Sequence, residues 1–420
     1  MTYESVRGMR DILPEEVPYW TLLEDTVREI ARRFNYREIR PPLVEHTELF
    51  SRGIGETTDV VNKEMYTFPD KKGRSLTLRP EATASVVRAY VEHGLYMNEP
   101  FQKLFYIGPM FRYDKPQKGR SRQFHQYGVE AIGSLDPSLD VEVIDLAWAV
   151  METLGVTGLS LRLNSIGCAA DRERYREVLR GYFADRIDAM CEDCKRRHEE
   201  NPLRILDCKV ELCQPSIDDS PGSADHLCPD CADHFDRVRR ILEDHGLSYE
   251  IDRRLVRGLD YYTRTVFELI SKDLGAQDAL LGGGRYDDLA EMLGGPPTPG
   301  IGFAGGMERL ILILKEQTDA CGDRRRLDLF FATLGEAGRA LALKLAKALR
   351  EQGISVDLDY RTRALRKQMS YADQLGVRYL LVFGDDEVAT QKGTLKEMDS
   401  GQEREVTLTP EGISAAISGR

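Results

Sequence analysis

Between Arg112 and Arg122 the chain carries five cations in eleven residues: Arg112, Lys115, Lys118, Arg120 and Arg122. Immediately after them, Phe124, Gln126, Gly128 and Glu130 recur with the two-residue period that places side chains on one face of a strand. An aromatic ring, an amide, a bare backbone position and a carboxylate do not make a core face; they make a pocket floor. Guanidinium forks match phosphate oxygens, and a flat ring beside them offers a surface to a purine. The chemistry this predicts is binding of a nucleoside triphosphate on an antiparallel hairpin. A basic surface hairpin is the plainer alternative on charge alone. The chain has no Gly-x-x-x-x-Gly-Lys-Ser/Thr run, which excludes a P-loop. A second junction lies at residues 300–306, a glycine-rich strand end opening into a helical Met307–Lys315 with Arg309 just inside. Glycines there permit close backbone approach, and a guanidinium at that place can clamp a phosphate.

Six of the eight cysteines, Cys191, Cys194, Cys208, Cys213, Cys228 and Cys231, fall within 41 residues. Two Cys-x-x-Cys pairs in a chain without a secretion signal favour thiolate metal ligation over disulfides. Cys191, Cys194, Cys228 and Cys231 have the spacing of a structural zinc knuckle, with Cys208 or Cys213 as substitutes. Reduced cysteines in a helical segment are the alternative. Removing a structural zinc is expected to melt the segment and leave the chemistry elsewhere largely intact.

The elements that must position these groups are legible in the pattern. Residues 104–112 and 122–132 read as two strands of a hairpin, joined by the polar stretch Tyr113–Ser121. Thr21–Phe34 and Leu139–Leu154 carry helical apolar spacing. Leu76–Glu81 reads as a strand running into a helix, with Pro80 at the helix start. Cys168–Arg253 is charged, helical and Cys-rich and reads as an insertion, after which strand character resumes at Leu255. Residues 328–420 alternate strand and helix as a small α/β unit, with strands at 329–333, 355–358 and 378–383 and helices at 336–351 and 364–375. Cys321–Arg326 is the expected linker.

At 420 residues, 41% hydrophobic and 30% charged, the chain is a globular protein of two or three domains, not a disordered or fibrous one. Its net charge is −12, yet the stretch from Arg326 onward is neutral, so any nucleic-acid contact is patchy. No apolar run approaches a membrane span and the N-terminus lacks a signal-peptide core, so a cytoplasmic location and no membrane partner are expected.

These residues resemble a known family. Arg112 with its basic loop and Glu130 resembles the second signature of class II aminoacyl-tRNA synthetases, 300–309 their third, and Arg40-Pro41-Pro42 their first. Within that class, the runs 76–83 (LTLRPEAT), 257–262 (RGLDYY) and 283–287 (GGRYD) resemble the signatures of histidyl-tRNA synthetases, and the resemblance covers essentially the whole chain. It implies a class II α+β catalytic domain built on an antiparallel sheet (1–167 and 254–322), a helical Cys-rich insertion (168–253) and a C-terminal α/β anticodon-binding domain (328–420). It also implies ligation of L-histidine to its tRNA through histidyl-adenylate, with magnesium travelling on ATP, in a homodimer.

By the same resemblance Glu81, Thr83 and Gln126 hold the histidine ammonium, and Glu130 and Tyr262 grip the imidazole, in a pocket lined by Tyr261 and Tyr286. Arg112, Arg120, Arg122, Phe124 and Arg309 bind ATP, and Arg257 joins Arg112 as catalytic. Ala82, Asp114 and Asp288 stand where glycine, glutamate and glycine are usual. Arg361, Arg363, Arg366 and Lys367 are candidates for anticodon-stem phosphates, or simply a solvated helix start. The rival class is a non-catalytic histidine sensor, similar to the regulatory subunit of ATP phosphoribosyltransferase. Retention of Arg120, Arg257, Arg309 and the C-terminal domain speaks against it.

Overall fold

The computed structural model describes residues 3–56, 58–115, 120–271, 279–317, 327–361 and 363–418. The chain forms two compact units, Met1–Ala320 and Cys321–Arg420. The expected linker 321–326 and the loop residues Pro116, Lys118 and Gly119 lie outside the described residues.

In the first unit the strands are β1 (Arg37–Glu38), β2 (Val44–His46), β3 (Tyr66–Pro69), β4 (Ser75–Leu78), β5 (Gln102–Phe111), β6 (Gln123–Ile132), β7 (Leu159–Ser165), β8 (Tyr249–Ile251), β9 (Thr263–Ser271), β10 (Ala279–Arg285) and β11 (Gly300–Gly306). Eight of them form one sheet in the order β1-β5-β6-β11-β10-β9-β7-β8, and β2-β4-β3 form a small second sheet. The large sheet is antiparallel through its middle and parallel only at its edges, β1 on β5 and β7 on β8. The β5–β6 hairpin is paired over its whole length, from Gln102 opposite Ile132 to Phe111 opposite Gln123. Strand β8 lies inside the stretch that composition assigns to the insertion, yet it closes the sheet edge. The cysteine-rich helices likewise share one apolar core with the catalytic face: Cys194, Cys208 and Cys213 are buried in the same cluster as Tyr261, Tyr262 and Tyr286.

Two local expectations need correction. Pro80 does not begin a helix. The helix is Thr83–Glu92, and Glu81 precedes it, its carboxylate accepting from the backbone N–H groups of Thr83 at 2.7 Å and Ala84 at 2.9 Å. These are two of the donors that a helix start leaves unsatisfied, and Ala82 at the cap position has no side chain to take them. Nor does a strand begin at Leu255: Asp252–Tyr262 is a run of turns, and β9 starts at Thr263. Apolar content there reflects burial of Leu255 and Val256 in the shared core rather than pleating.

The helix Pro137–Thr153 is apolar on most of its surface because it packs against β6, β9 and β11 as well as the helices Val17–Arg33 and Pro229–Asp244. Its Asp140 is fully buried and takes the fully buried guanidinium of Arg285 in a forked pair, Nε to Oδ2 at 2.8 Å and Nη2 to Oδ2 at 2.5 Å. His234 Nε2 lies 3.1 Å from the other oxygen, the Ser134 and Asp136 carbonyls accept two more guanidinium N–H groups, and Asp287 Oδ1 lies 3.4 Å from Nη1. Every donor has a partner. Arg285, central to the GGRYD run, is therefore a strut that fixes the end of β10.

The second unit holds β12 (Leu329–Thr333), β13 (Val356–Leu358), β14 (Tyr379–Phe383), β15 (Lys392–Glu397) and β16 (Glu403–Thr407) in the order β13-β12-β14-β15-β16. The first three are parallel, with helices Gly335–Glu351 and Leu365–Gln374 as the crossovers expected from sequence; a short helix Asp385–Thr390 was not foreseen. Arg363 folds back onto Asp359 at 2.5 Å, and both Arg361 and Arg363 lie over the Tyr371 ring. Half of that basic run is thus engaged within its own unit.

Removing one partner of a buried ion pair leaves the other charge unpaired, which typically costs about 3–5 kcal/mol. Asp140→Ala is accordingly expected to lower the urea midpoint of the first unit sharply, whereas Asp359→Ala, whose arginines can turn to water, lowers that of the second only slightly. Equal effects would contradict this reading.

Candidate active site

The alternation in β6 does what its period requires: Phe124, Gln126, Gly128 and Glu130 share one face. The register shows why that face is open. Opposite Gln126, Gly128 and Glu130 on β11 stand Gly306, Ala304 and Gly302, and beyond these on β10 Gly282 pairs with Ala304 and Gly284 with Gly302. The middle of the sheet is stripped almost to backbone. Side chains from elsewhere fill the space. A Cβ on Gly282 would lie 2.3 Å from the Arg257 guanidinium, and one on Gly302 only 2.1 Å from Glu130 Oε2. On the other side, β5 places Tyr106 opposite Gly128, where the missing side chain admits the Tyr106 hydroxyl.

Two compartments result. The outer one is a cavity of about 490 Å³ lined by Arg112, Arg120, Phe124, Gln126, Arg257, Gly282, Glu308 and Arg309. Arg112 donates from Nε to the Pro80 carbonyl at 2.9 Å, and its guanidinium lies 5.5 Å from the Phe124 ring. Arg309 is steadied by the Ala279 carbonyl at 2.5 Å, and Arg120 lies 3.4 Å from Asp114. Arg257 pairs with Glu268, the residue opposite Gly282 on β9. Burial works against its charge, but Glu268, Tyr262 and Asp207 outweigh it and hold its pKa above the ordinary arginine value. Arg122 stands apart. It stacks at 3.7 Å on Tyr113, its N–H is held by the Gly8 carbonyl, and it does not line the cavity.

The inner one is a cluster of buried polar side chains: Glu81, Thr83, Tyr106, Glu130, Tyr261, Tyr262 and Tyr286. Thr83 Oγ1 donates to Glu130 Oε1 at 2.7 Å and Tyr286 Oη to Oε2 at 2.5 Å. Tyr261 sits between the other rings, 4.7 Å from Tyr262 and 5.9 Å from Tyr286. Burial pushes the Glu130 carboxyl up to about 8 despite the two hydroxyls that favour its charged form. Burial also raises Glu81, against the N–H groups it caps. Gln126 Oε1 is buried with no partner among the described residues. Two carboxylates, each with lone pairs to spare, and an unpaired amide oxygen constitute an acceptor-rich slot, and what such a slot takes is an ammonium or an imidazole N–H.

Several residues of the site were not anticipated. Tyr106 and Glu268 are recoverable from strand register, as the partners of Gly128 and Gly282. Glu308 accepts the backbone N–H of His125 at 2.8 Å and faces its ring, an interaction across the β6–helix junction that spacing does not announce. Asp207, Arg197 and Arg204 enter the cavity wall from the cysteine-rich stretch. Of the three unusual positions, Asp288 has an ordinary backbone (φ −95°), Ala82 is buried at the helix start, and Asp114 lines the cavity beside Arg120.

The cysteines divide differently from the expected knuckle. Cys191 and Cys194 group with Cys208 and Cys213, whereas Cys228 and Cys231 group with Cys168 and Asp171; within each set the ligand atoms lie within 4.8 Å of one another. The two Cys-x-x-Cys pairs each begin a different helix, Glu192–Glu200 and Pro229–Asp244, and each meets its own partners.

An antiparallel sheet bearing an arginine-rich cavity is the architecture of class II aminoacyl-tRNA synthetases. A sequence model described as "Histidyl-tRNA synthetase" matches residues 8–310, and one described as "Anticodon binding domain" matches 328–415. The chain is 50% identical over 410 residues to the histidine--tRNA ligase of Natranaerobius thermophilus (97% of each chain) and 49% identical to that of Geobacter metallireducens (98% of this chain, 99% of the relative). It is also similar to the crystal structure of apo Staphylococcus aureus histidyl-tRNA synthetase, with a TM-score of 0.81 and 39% identity over 100% and 99% of the two chains. The chain belongs to the histidyl-tRNA synthetase family.

Because Glu130 titrates near 8 when folded and near 4.5 when unfolded, the folded state holds its proton more tightly. The stability contributed is full below pH 4.5 and is lost as pH rises to about 8, at a slope of up to about 1.4 kcal/mol per pH unit. Subtracting the unfolding free energies of Glu130→Gln from those of the wild type across pH 5–9 should isolate this slope. A flat difference would show that Glu130 ionises normally.

Proposed function

We propose that this protein attaches L-histidine to its tRNA by way of histidyl-adenylate. One arrangement carries the proposal: a buried, acceptor-rich cluster of Glu81, Thr83 and Glu130 lies beside a cavity in which Arg112, Arg120, Arg257 and Arg309 converge next to Phe124. The relatives' printed names, histidine--tRNA ligase, support the same reading.

In this reading Glu81, Thr83 and Gln126 receive the histidine ammonium. The amide oxygen of Gln126, otherwise buried without a partner, gains one. Glu130 takes one imidazole nitrogen and Tyr262 the other, with Tyr261 and Tyr286 holding the ring. A site built on buried donors and acceptors rejects an apolar analogue strongly, because that analogue leaves them unpaired. MgATP is the second substrate, its adenine against Phe124 and its triphosphate between Arg120 and Arg309. We do not carry over the ATP role expected for Arg122, whose side chain is committed to Tyr113.

Arg112 bridges the histidine carboxylate and the α-phosphate. As a carboxylate oxygen attacks phosphorus and the bond to pyrophosphate breaks, negative charge grows on the α-phosphate oxygens. Arg257, prefixed by Glu268, neutralises it without reorganisation. The ribose 3′-hydroxyl of the tRNA then attacks the acyl carbon and AMP leaves. The catalytic domain comprises 1–167 and 254–322, split by the insertion 168–253, and residues 328–420 bind the anticodon region. The protein acts as a cytoplasmic homodimer, with zinc in its cysteine-rich insertion.

Histidine-dependent exchange of labelled pyrophosphate into ATP tests the assignment. Histidine binding without exchange would favour a sensor similar to the ATP phosphoribosyltransferase regulatory subunit. Arg257→Ala is expected to slow exchange by roughly 100- to 1,000-fold while histidine affinity, measured by calorimetry, changes little. Loss of histidine binding instead would remove Arg257 from the phosphate role.

A further inference from the structure

Resting on that reading, we infer that Cys191, Cys194, Cys208 and Cys213 hold one zinc ion in a closed four-thiolate site, and that this ion positions Arg257 through Arg204. The cluster of Cys168, Asp171, Cys228 and Cys231 holds none.

Zinc–thiolate bonds of about 2.3 Å in a tetrahedron set the ligand sulfurs about 3.8 Å apart. The Cys191 and Cys208 sulfurs are 3.8 Å apart, and the four Sγ atoms lie within 4.8 Å of one another, three of the residues being buried. None is in a disulfide. Backbone N–H groups point at the sulfurs, Cys191 N to Cys213 Sγ at 3.3 Å and Val210 N to Cys208 Sγ at 3.5 Å. Four sulfurs gathered this closely, none bonded to another, are the ligand set of a closed zinc site. Cys191 also caps a nine-residue helix, whose N-terminus is electropositive, and Arg197 interacts electrostatically with Cys194.

The second cluster differs in one decisive respect. The Asp171 carboxylate is already engaged: Oδ1 accepts the Cys228 N–H at 3.0 Å and the Arg174 guanidinium, and Oδ2 accepts the Cys168 N–H at 3.3 Å. Here the carboxylate caps two helix starts, and three thiols remain.

The four-thiolate loop reaches the catalytic cavity directly. Between Cys194 and Cys208 the chain presents Arg197, Arg204 and Asp207. Arg197 Nη2 pairs with Asp59 at 3.0 Å, and its Nη1 holds the Arg204 carbonyl at 3.2 Å. Arg204 Nη1 in turn donates to the Arg257 carbonyl at 3.3 Å and to Asp207 Oδ2 at 3.1 Å. This stretch is a nine-residue helix and two short turns packed into the shared core, and the ion would tie its two ends together. Arg204 is thus a positioning residue, and the expectation that zinc removal spares the chemistry is reversed.

Elemental analysis of the full-length protein purified under reducing conditions should give one zinc per chain, lost in Cys208→Ser and retained in Cys228→Ser. Stripping the wild type with a thiol-directed reagent and chelator should lower the kcat of pyrophosphate exchange by about tenfold or more, with little change in the KM for histidine; returned zinc restores it. Arg204→Lys should keep its zinc and show the same fall in kcat, which covers the case of a cysteine variant that does not fold. Absence of zinc, its loss in Cys228→Ser, or an unchanged kcat in the zinc-free protein overturns the inference. Failure of zinc-loaded wild type to exchange at all would sink the functional reading and the link to Arg257 with it; the metal site would still stand or fall on its stoichiometry.

Discussion

A bulky side chain can be seated over the middle of an antiparallel sheet only where the strands beneath have given up theirs. In this protein the constraint falls on β10 and β11, where Gly282, Gly302, Ala304 and Gly306 leave the sheet bare between β6 and β9. The vacated space admits the Arg257 guanidinium above Gly282 and the Glu130 carboxylate beside Gly302. Without these small residues the Arg257 and Glu130 side chains would have no place on the platform. Packing around the site follows from this: the Pro137–Thr153 helix covers β6, β9 and β11, and Arg285 ties the end of β10 to Asp140 of that helix.

The electrostatics follow the same geometry. In the slot, burial dominates and drives the Glu130 carboxyl towards its neutral form, with only the Thr83 and Tyr286 hydroxyls opposing it. In the cavity, counter-charge dominates: Glu268 and Asp207 hold Arg257 cationic against its burial. The buried cluster therefore suits a cation or N–H donor and the cavity an anion. That polarity suits a substrate carrying an ammonium and an imidazole at one end and reacting through its carboxylate with a phosphate at the other.

The cysteine-rich stretch is more than an appendage to this platform. Its buried residues share a core with Tyr261, Tyr262 and Tyr286, and β8 at its end extends the sheet. Composition marks the segment as different because it is charged and helical, but composition does not report where its inner face packs. The same gap explains the cysteine pairing. Spacing marks each Cys-x-x-Cys as a candidate ligand pair; what each pair meets depends on how the helices of the stretch pack over one another. Likewise Pro80 looks like a helix start by residue type, whereas the backbone turns three residues later and uses Glu81 as the cap.

Periodicity and residue type alone determined the β5–β6 hairpin, the polar face of β6, the strands and crossover helices of 328–420 and the gathering of cations at 112–122, because these are properties of a chain within a few residues of itself. Strand register, the seat of Arg257 over Gly282, the partition of seven cysteines and Asp171 into two clusters, and the stacking of Arg122 on Tyr113 were decided only by the tertiary structure. Each depends on how the chain folds back on itself, and no local preference encodes which strand, loop or ring a side chain will meet.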